Sequence, residues 1–193
     1  LNTQILLFLT FLLTTSVTIR TSGPEEKEWL LNNPVMHSGG KGSFDEVAVK
    51  DPSIVFYEGR WHLFFTARSE EQYTIGCVSA SELAGLQSAP RHELEMIRGE
   101  TRYSAAPQIF FFKPQNKWYL IFQNRNANYQ PAFSTNKTIS RPKSWSEPRP
   151  LLQKDTSAKW IDFWVICDKK KAYLFYTQNH HEVIVRSTKL QDF

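Results

Sequence analysis

The sequence predicts an all-β protein of the β-propeller type, and three observations carry that prediction. Apolar runs of roughly four to eight β-branched and aromatic residues alternate with turn residues, and almost no stretch shows a helical apolar period. One plan, an inner strand, a tight turn and a second strand, is written three times: Ala48 to Ala67, Ala106 to Gln123 and Ile161 to Thr177. Pro52, Pro107 and Phe163 occupy matching places about 55 residues apart, within the period range of repeat architectures. Each repeat then continues into further strand-like runs, and three or four antiparallel strands in that length make a propeller blade.

The elements follow in order. Residues 1–19 carry no charge and hold the apolar run Ile5 to Leu13, too short to span a bilayer, which reads as the core of a secretory signal peptide with Ser16-Val17-Thr18 as a cleavage site. Residues 20–33 read as a linker, in which Trp29-Leu30-Leu31 forms a first strand or an edge segment. Asn32 to Ser43, rich in Gly, Asn and Ser, is expected to be a loop into the first repeat. That repeat turns on Glu58-Gly59 and continues with a strand at Thr74 to Ala80, and Ser81 to Leu86 is long enough for one helical turn. The second continues with Tyr129 to Thr135 and an outer loop at Trp145 to Pro148, and the third with Glu182 to Ser187.

With 193 residues, 41% hydrophobic and 14% aromatic, the chain is globular and neither disordered nor fibrous. A propeller closes with at least four blades, and this chain holds about three, so it is expected to be a fragment of a longer propeller. The net charge of +4 is spread over turns such as Lys169-Lys170-Lys171, which reads as a solvated surface and excludes a nucleic-acid stripe. Cys77 and Cys167 lie in strand-like runs of different repeats, so buried free thiols are the expectation, and no metal-binding spacing occurs.

In a propeller the innermost strands begin at one face of the disc, so the repeat converges Asp51, Ala106 and Asp162 on one central site. Two carboxylates and a small neutral residue suit glycoside hydrolysis, where one carboxylate deprotonates water and a protonated one assists the leaving group. Asp51 before Pro52 also reads as a residue that merely shapes a strand entry. Asp162, between Trp160-Ile161 and Phe163-Trp164, reads as a carboxylate held among large apolar groups, which is costly unless it serves a site. His62 reads as a packing or surface histidine, His180 and His181 as exposed, His37 as a loop residue, and Asn136-Lys137-Thr138 as a formal glycosylation sequon.

Four stretches taken in order, Val49-Lys50-Asp51-Pro52-Ser53, Ala105 to Phe112 with Lys117 to Gln123, Trp145 to Leu151, and Trp160 to Asp168, resemble glycoside hydrolase family 62. The likeness runs from about Pro34 to Phe193, so 34–193 is expected to be a partial β-propeller glycoside hydrolase domain. The resemblance implies a five-bladed propeller, secreted and acting as an inverting α-L-arabinofuranosidase that releases arabinose from arabinoxylan. It implies Asp51 as the base that activates water and Asp162 as the second aspartate, which tunes the acid and helps hold the sugar. Lys50 and Gln123 are implied as arabinose contacts; taken alone they read as a strand-edge lysine and a satisfied core amide. Trp160 either stacks on a sugar or packs in the core.

No cofactor is implied for the chemistry, and the resemblance brings a structural calcium without a ligand set recognisable here. The partners implied are arabinoxylan or a related plant cell-wall polysaccharide, with no nucleic acid, no membrane after signal cleavage and a monomeric state. The family's general acid is a glutamate opening a fourth blade, one repeat beyond Asp162 and past Phe193, so the chain is expected to be impaired. Glu182 reads as a hairpin-tip residue at the wrong end of its blade to replace it. The alternatives are a family 43-type arabinan or xylan hydrolase, a non-catalytic carbohydrate-binding propeller, and a product that never folds stably because of an open sheet edge.

Overall fold

The computed structural model describes residues 29–98, 102–125, 131–152 and 159–193. The chain divides into one unit from Leu1 to Asn33 and a second from Pro34 to Phe193. Of the first unit only 29–33 are described, so the signal-peptide expectation and most of the linker lie outside the described residues. Trp29, Leu30 and Leu31 form no strand and are exposed, which corrects the expectation of an edge segment. Three apolar residues running into Asn32-Asn33-Pro34 meet turn formers before a ladder can start.

The second unit is built from three antiparallel sheets that follow the repeats one for one. The first sheet is β1 (Ala48–Tyr57), β2 (Arg60–Arg68), β3 (Tyr73–Ala80) and β4 (Arg91–Glu93); the second is β5 (Ser104–Phe112), β6 (Lys117–Asn124), β7 (Pro131–Asn136) and β8 (Arg149–Pro150). The third is β9 (Trp160–Cys167), β10 (Lys171–Gln178) and β11 (Glu182–Lys189). Glu58 and Gly59, both at positive φ, make the two-residue turn that matches the twist of the flanking strands. A 3-10 turn at Leu83–Gly85 takes the place expected for a helical turn.

Two side-chain cores join consecutive sheets. Phe64, Ile75 and Cys77 of the first sheet pack with Ile109, Trp118, Leu120 and Phe122 of the second. Ile121 and Tyr119 pack with Phe163, Val165, Leu174 and Tyr176 of the third. Backbone groups are tied across these junctions in a repeating way. Ser53 Oγ accepts the Ile109 N–H at 3.0 Å, while Gln108 accepts the Val165 N–H at 2.6 Å and donates to its carbonyl at 2.7 Å. Each buried backbone group so paired avoids a desolvation cost of about 1–3 kcal/mol.

Both cysteines are free. Cys77 is buried and its thiol is pushed up to about 12 by that burial. Cys167 is exposed, against expectation, because it is the last residue of β9, one step past the buried Val165 on the same side of the strand. His62 is buried with Ser79 Oγ 2.7 Å from its Nδ1. His37, His180 and His181 are exposed. Asn136 of the sequon is buried, and its amide donates to the Arg141 carbonyl and accepts the Thr138 N–H, so it is not presented for glycosylation.

Candidate active site

The innermost strand of each sheet carries one β-bulge, and the three bulges are equivalent. In the first sheet the register jumps from Lys50↔Thr66 to Ser53↔Phe64, in the second from Ala105↔Gln123 to Gln108↔Ile121, and in the third from Ile161↔Thr177 to Trp164↔Phe175. Two residues therefore oppose one, and the single residue is a buried aromatic each time: Phe65, Phe122 and Tyr176. Asp51, Ala106 and Asp162 are the first bulge residues, with φ of 52°, 53° and 60°. A side chain in that left-handed region costs roughly 1–2 kcal/mol, so three non-glycine residues held there define a strained row. Pro52 and Pro107 follow naturally, since a bulge is where a strand tolerates a residue without an N–H and where the preceding residue is steered from the right-handed helical region.

Asp51 is half-exposed, and its Oδ2 accepts the Thr66 hydroxyl proton at 2.7 Å. Thr66 in turn accepts the Ala106 N–H at 2.8 Å, which joins the first two bulges through one side chain. Lys50 lies beside them, its ammonium 3.8 Å from Asp51 Oδ2 and 5.3 Å from the centre of the Tyr73 ring. At that exposure the ion pair contributes about 0–1 kcal/mol, so its value is charge placement rather than stability. Gln123 is buried on β6 opposite Ala105, the register position that Thr66 holds opposite Lys50.

Three readings are changed or decided here. Asp162 is exposed rather than held among its aromatic neighbours, because the bulge turns Trp160 and Phe163 inward and leaves the carboxylate on the open side. Trp160 is fully buried, its indole N–H donates to Gln178 Oε1 at 2.9 Å, and the Arg186 guanidinium lies 4.9 Å from its ring centre. Its rings are therefore used in packing, and stacking on a sugar is not available to it. Glu182 also moves: it pairs with Gln178, which pairs with Trp160, so it stands at the same end of the third sheet as Asp162 but two strands away. Its carboxylate accepts from the Gln178 amide at 2.9 Å.

Thr66 is the site residue that sequence reasoning passed over. Its signal was its register: it falls opposite Lys50 as Gln123 falls opposite Ala105. Among the described residues no group of three or more His, Cys, Asp or Glu side chains is gathered to hold a metal, so the implied calcium finds no fitting ligand set in them. A cavity of about 430 Å³ opens instead where Ala172, Thr188 and Phe193 lie, at the end of the third sheet opposite Asp162.

Comparison with known proteins agrees with this architecture. Residues 40–193 match the model of glycosyl hydrolase family 62. The chain is 32% identical over 165 residues to α-L-arabinofuranosidase C of Cellvibrio japonicus, covering 86% of this chain and 25% of that protein. It superimposes on the catalytic domain of the Coprinopsis cinerea GH62 α-L-arabinofuranosidase with TM-score 0.73 and 32% identity, over 83% of this chain and 52% of that one. A GH62 hydrolase solved in complex with xylotriose gives TM-score 0.72 at 26% identity, again over 83% and 52%. The chain thus spans about half the length of the solved domains it matches. Three bulged, propeller-type sheets in the order of the repeats, and a family match over most of the chain, place it in glycosyl hydrolase family 62.

Proposed function

We propose that this chain carries the water-activating part of a secreted, inverting α-L-arabinofuranosidase that removes arabinose side chains from arabinoxylan. The observation that carries the reading is the bulge row, in which strained backbone presents Asp51 and Asp162 on either side of Ala106. Family membership and the arabinofuranosidase relatives support the reaction, and the relative bound to xylotriose supports a xylan main chain. An ionised Asp51 takes the proton of a water molecule as that water attacks the anomeric carbon from the face opposite the leaving group. Ala106, with only a methyl group, leaves room for the sugar between the carboxylates. Lys50 and Asp162 supply a positive and a negative hydrogen-bonding group to the sugar hydroxyls, and Gln123 an amide from the next sheet. The chemistry proposed runs on side chains without a cofactor, in a monomer outside the cell.

The test is arabinose release from arabinoxylan by the chain and by Asp51→Asn, with the product anomer followed by NMR. Release that falls about a thousandfold in Asp51→Asn, with the β-furanose appearing first, is the expected result. Equal and measurable release by both proteins would remove Asp51 from the chemistry. The neutral Ala106 between two carboxylates also fits a second reading, a carbohydrate-binding propeller. On that reading arabinoxylan binds and no arabinose is released by either protein.

A further inference from the structure

We infer that Thr66 is a positioning residue for the water-activating carboxylate, an inference that rests on the reading of Asp51 as the base. Thr66 is fully buried. A hydroxyl has one proton to give and lone pairs to receive. The Ala106 N–H fills one lone pair at 2.8 Å, and an ionised carboxylate can only accept, so the single proton points at Asp51 Oδ2, 2.7 Å away. The Lys50 ammonium stands 3.8 Å from that same oxygen. The two carboxylate oxygens are thereby given different duties: Oδ2 is held, and Oδ1 is left to take the proton.

The same hydroxyl ties two strained backbones. Asp51 and Ala106 both sit at positive φ, and the Thr66 side chain touches both bulges. Removing the hydroxyl takes a hydrogen bond from the carboxylate and leaves the Ala106 N–H without this acceptor. The carboxylate is then free to rotate about its Cβ–Cγ bond, and Oδ1 loses its aim. A reacting group displaced by about 1 Å costs on the order of a hundredfold in rate with little change in ground-state binding. The corresponding register positions of the other sheets hold Gln123 and Thr177, so each inner bulge faces a polar side chain from its neighbouring strand.

The probe is 2,4-dinitrophenyl α-L-arabinofuranoside. In this step the water oxygen bonds to the anomeric carbon, its proton passes to Asp51 Oδ1, and the glycosidic bond breaks with its electron pair leaving on dinitrophenolate. That leaving group departs without a proton, so the rate reports water activation. The full chain is compared with Thr66→Val, Thr66→Ser and Asp51→Ala. Thr66→Val is expected to lower kcat by about tenfold to a hundredfold with KM within about twofold, and Thr66→Ser to restore kcat within about threefold. If Thr66→Val loses the native circular dichroism spectrum, Thr66→Ala takes its place with the same expectation. Wild-type kcat in the variant that lacks the hydroxyl, or a rise in KM alone, overturns the role of Thr66 while Asp51→Ala still silences the chain. A wild-type chain no faster than Asp51→Ala overturns the base assignment itself, and the role of Thr66 with it.

Discussion

The first and third sheets each present one face away from the second, and the two faces have opposite fates. On the first sheet Leu63, Phe65, Ala67 and Val78 are buried beneath Met36, Phe44 and Leu86, contributed by the segments before β1 and after β3. On the third, Trp164, Ile166, Phe175, Val183 and Val185 remain exposed, and Trp164, Phe175 and Val185 lie side by side across all three strands. Both faces carry large apolar side chains. Burial is decided by whether another segment is fastened over the strands, and on the first sheet the fastening is identifiable. Asp45, 1% exposed, pairs with Arg91 of β4 at 2.5 Å, accepts the Ser43 hydroxyl at 2.9 Å, and its carbonyl accepts the Gly39 N–H at 3.1 Å.

That fastening offers the most damaging way to break the contrast. Arg91→Met leaves Asp45 buried without its cation, and breaking a buried pair from one side costs about 3–5 kcal/mol. Urea unfolding should show a loss of about 3 kcal/mol, with hydrophobic dye binding rising as the first sheet's face is uncovered. A change below about 1 kcal/mol would mean that the covering segment is held by its apolar contacts alone. Next in size is Gly76 of β3, whose hydrogen points at the stacked rings of Phe65 and Phe44. A methyl group there would lie 2.5 Å from Phe65 and 2.9 Å from Phe44, so Gly76→Ala should cost about 1–3 kcal/mol by overpacking. Retained stability in Gly76→Ala would show that Phe44 lifts away at little cost.

The alternation of β-branched and aromatic residues, the Glu58-Gly59 turn and the spacing of Pro52, Pro107 and Phe163 made the strands and their threefold recurrence readable from sequence. Equivalence of Asp51, Ala106 and Asp162 was readable for the same reason. The bulge was the part that could not be read. An extra residue shifts side-chain alternation by one, which sends Trp160 and Phe163 to the same buried side and frees Asp162 to the open one. Simple alternation instead groups Trp160 with Asp162, whereas the bulge puts the indole in the core. Glu182 was misplaced by strand direction: β9 runs away from the bulge row and β10 returns to it, so the hairpin after β10 stands at the site's end of the sheet. Thr66 could be placed opposite Lys50 by register, but its bond to the Ala106 N–H joins two sheets, and no local pattern in the chain encodes that.

A smaller effect separates the sheets by pH. His62 of the first sheet is held below its ordinary value near 6.5, first by burial and also by Arg60, against the opposing pull of the Tyr57 backbone and Glu58. A histidine that resists protonation when folded lets the unfolded chain bind the extra proton. Stability is therefore full above about pH 6.5 and declines as the pH falls from there towards the lowered folded value, with a slope of at most about 1.4 kcal/mol per pH unit. His62→Gln should flatten the unfolding free energy over that window. An unchanged slope in the variant would assign the titration to other groups.

The least costly substitutions should lie on the bare face of the third sheet, and they sharpen the contrast most. Trp164 is 48% exposed, whereas its neighbour Phe163 is 3% exposed and packs against Tyr176. Phe163→Ala should cost about 3–5 kcal/mol, as large-to-small changes in a core do. Trp164→Thr removes more apolar surface from the sequence, yet it takes that surface from water and puts a β-branched residue in a strand. Its effect on unfolding should stay within about 0.5 kcal/mol while hydrophobic dye binding falls. If Trp164→Thr instead costs as much as Phe163→Ala, the third sheet's outward face is covered in solution as the first sheet's is, and the difference between the two ends of the chain disappears.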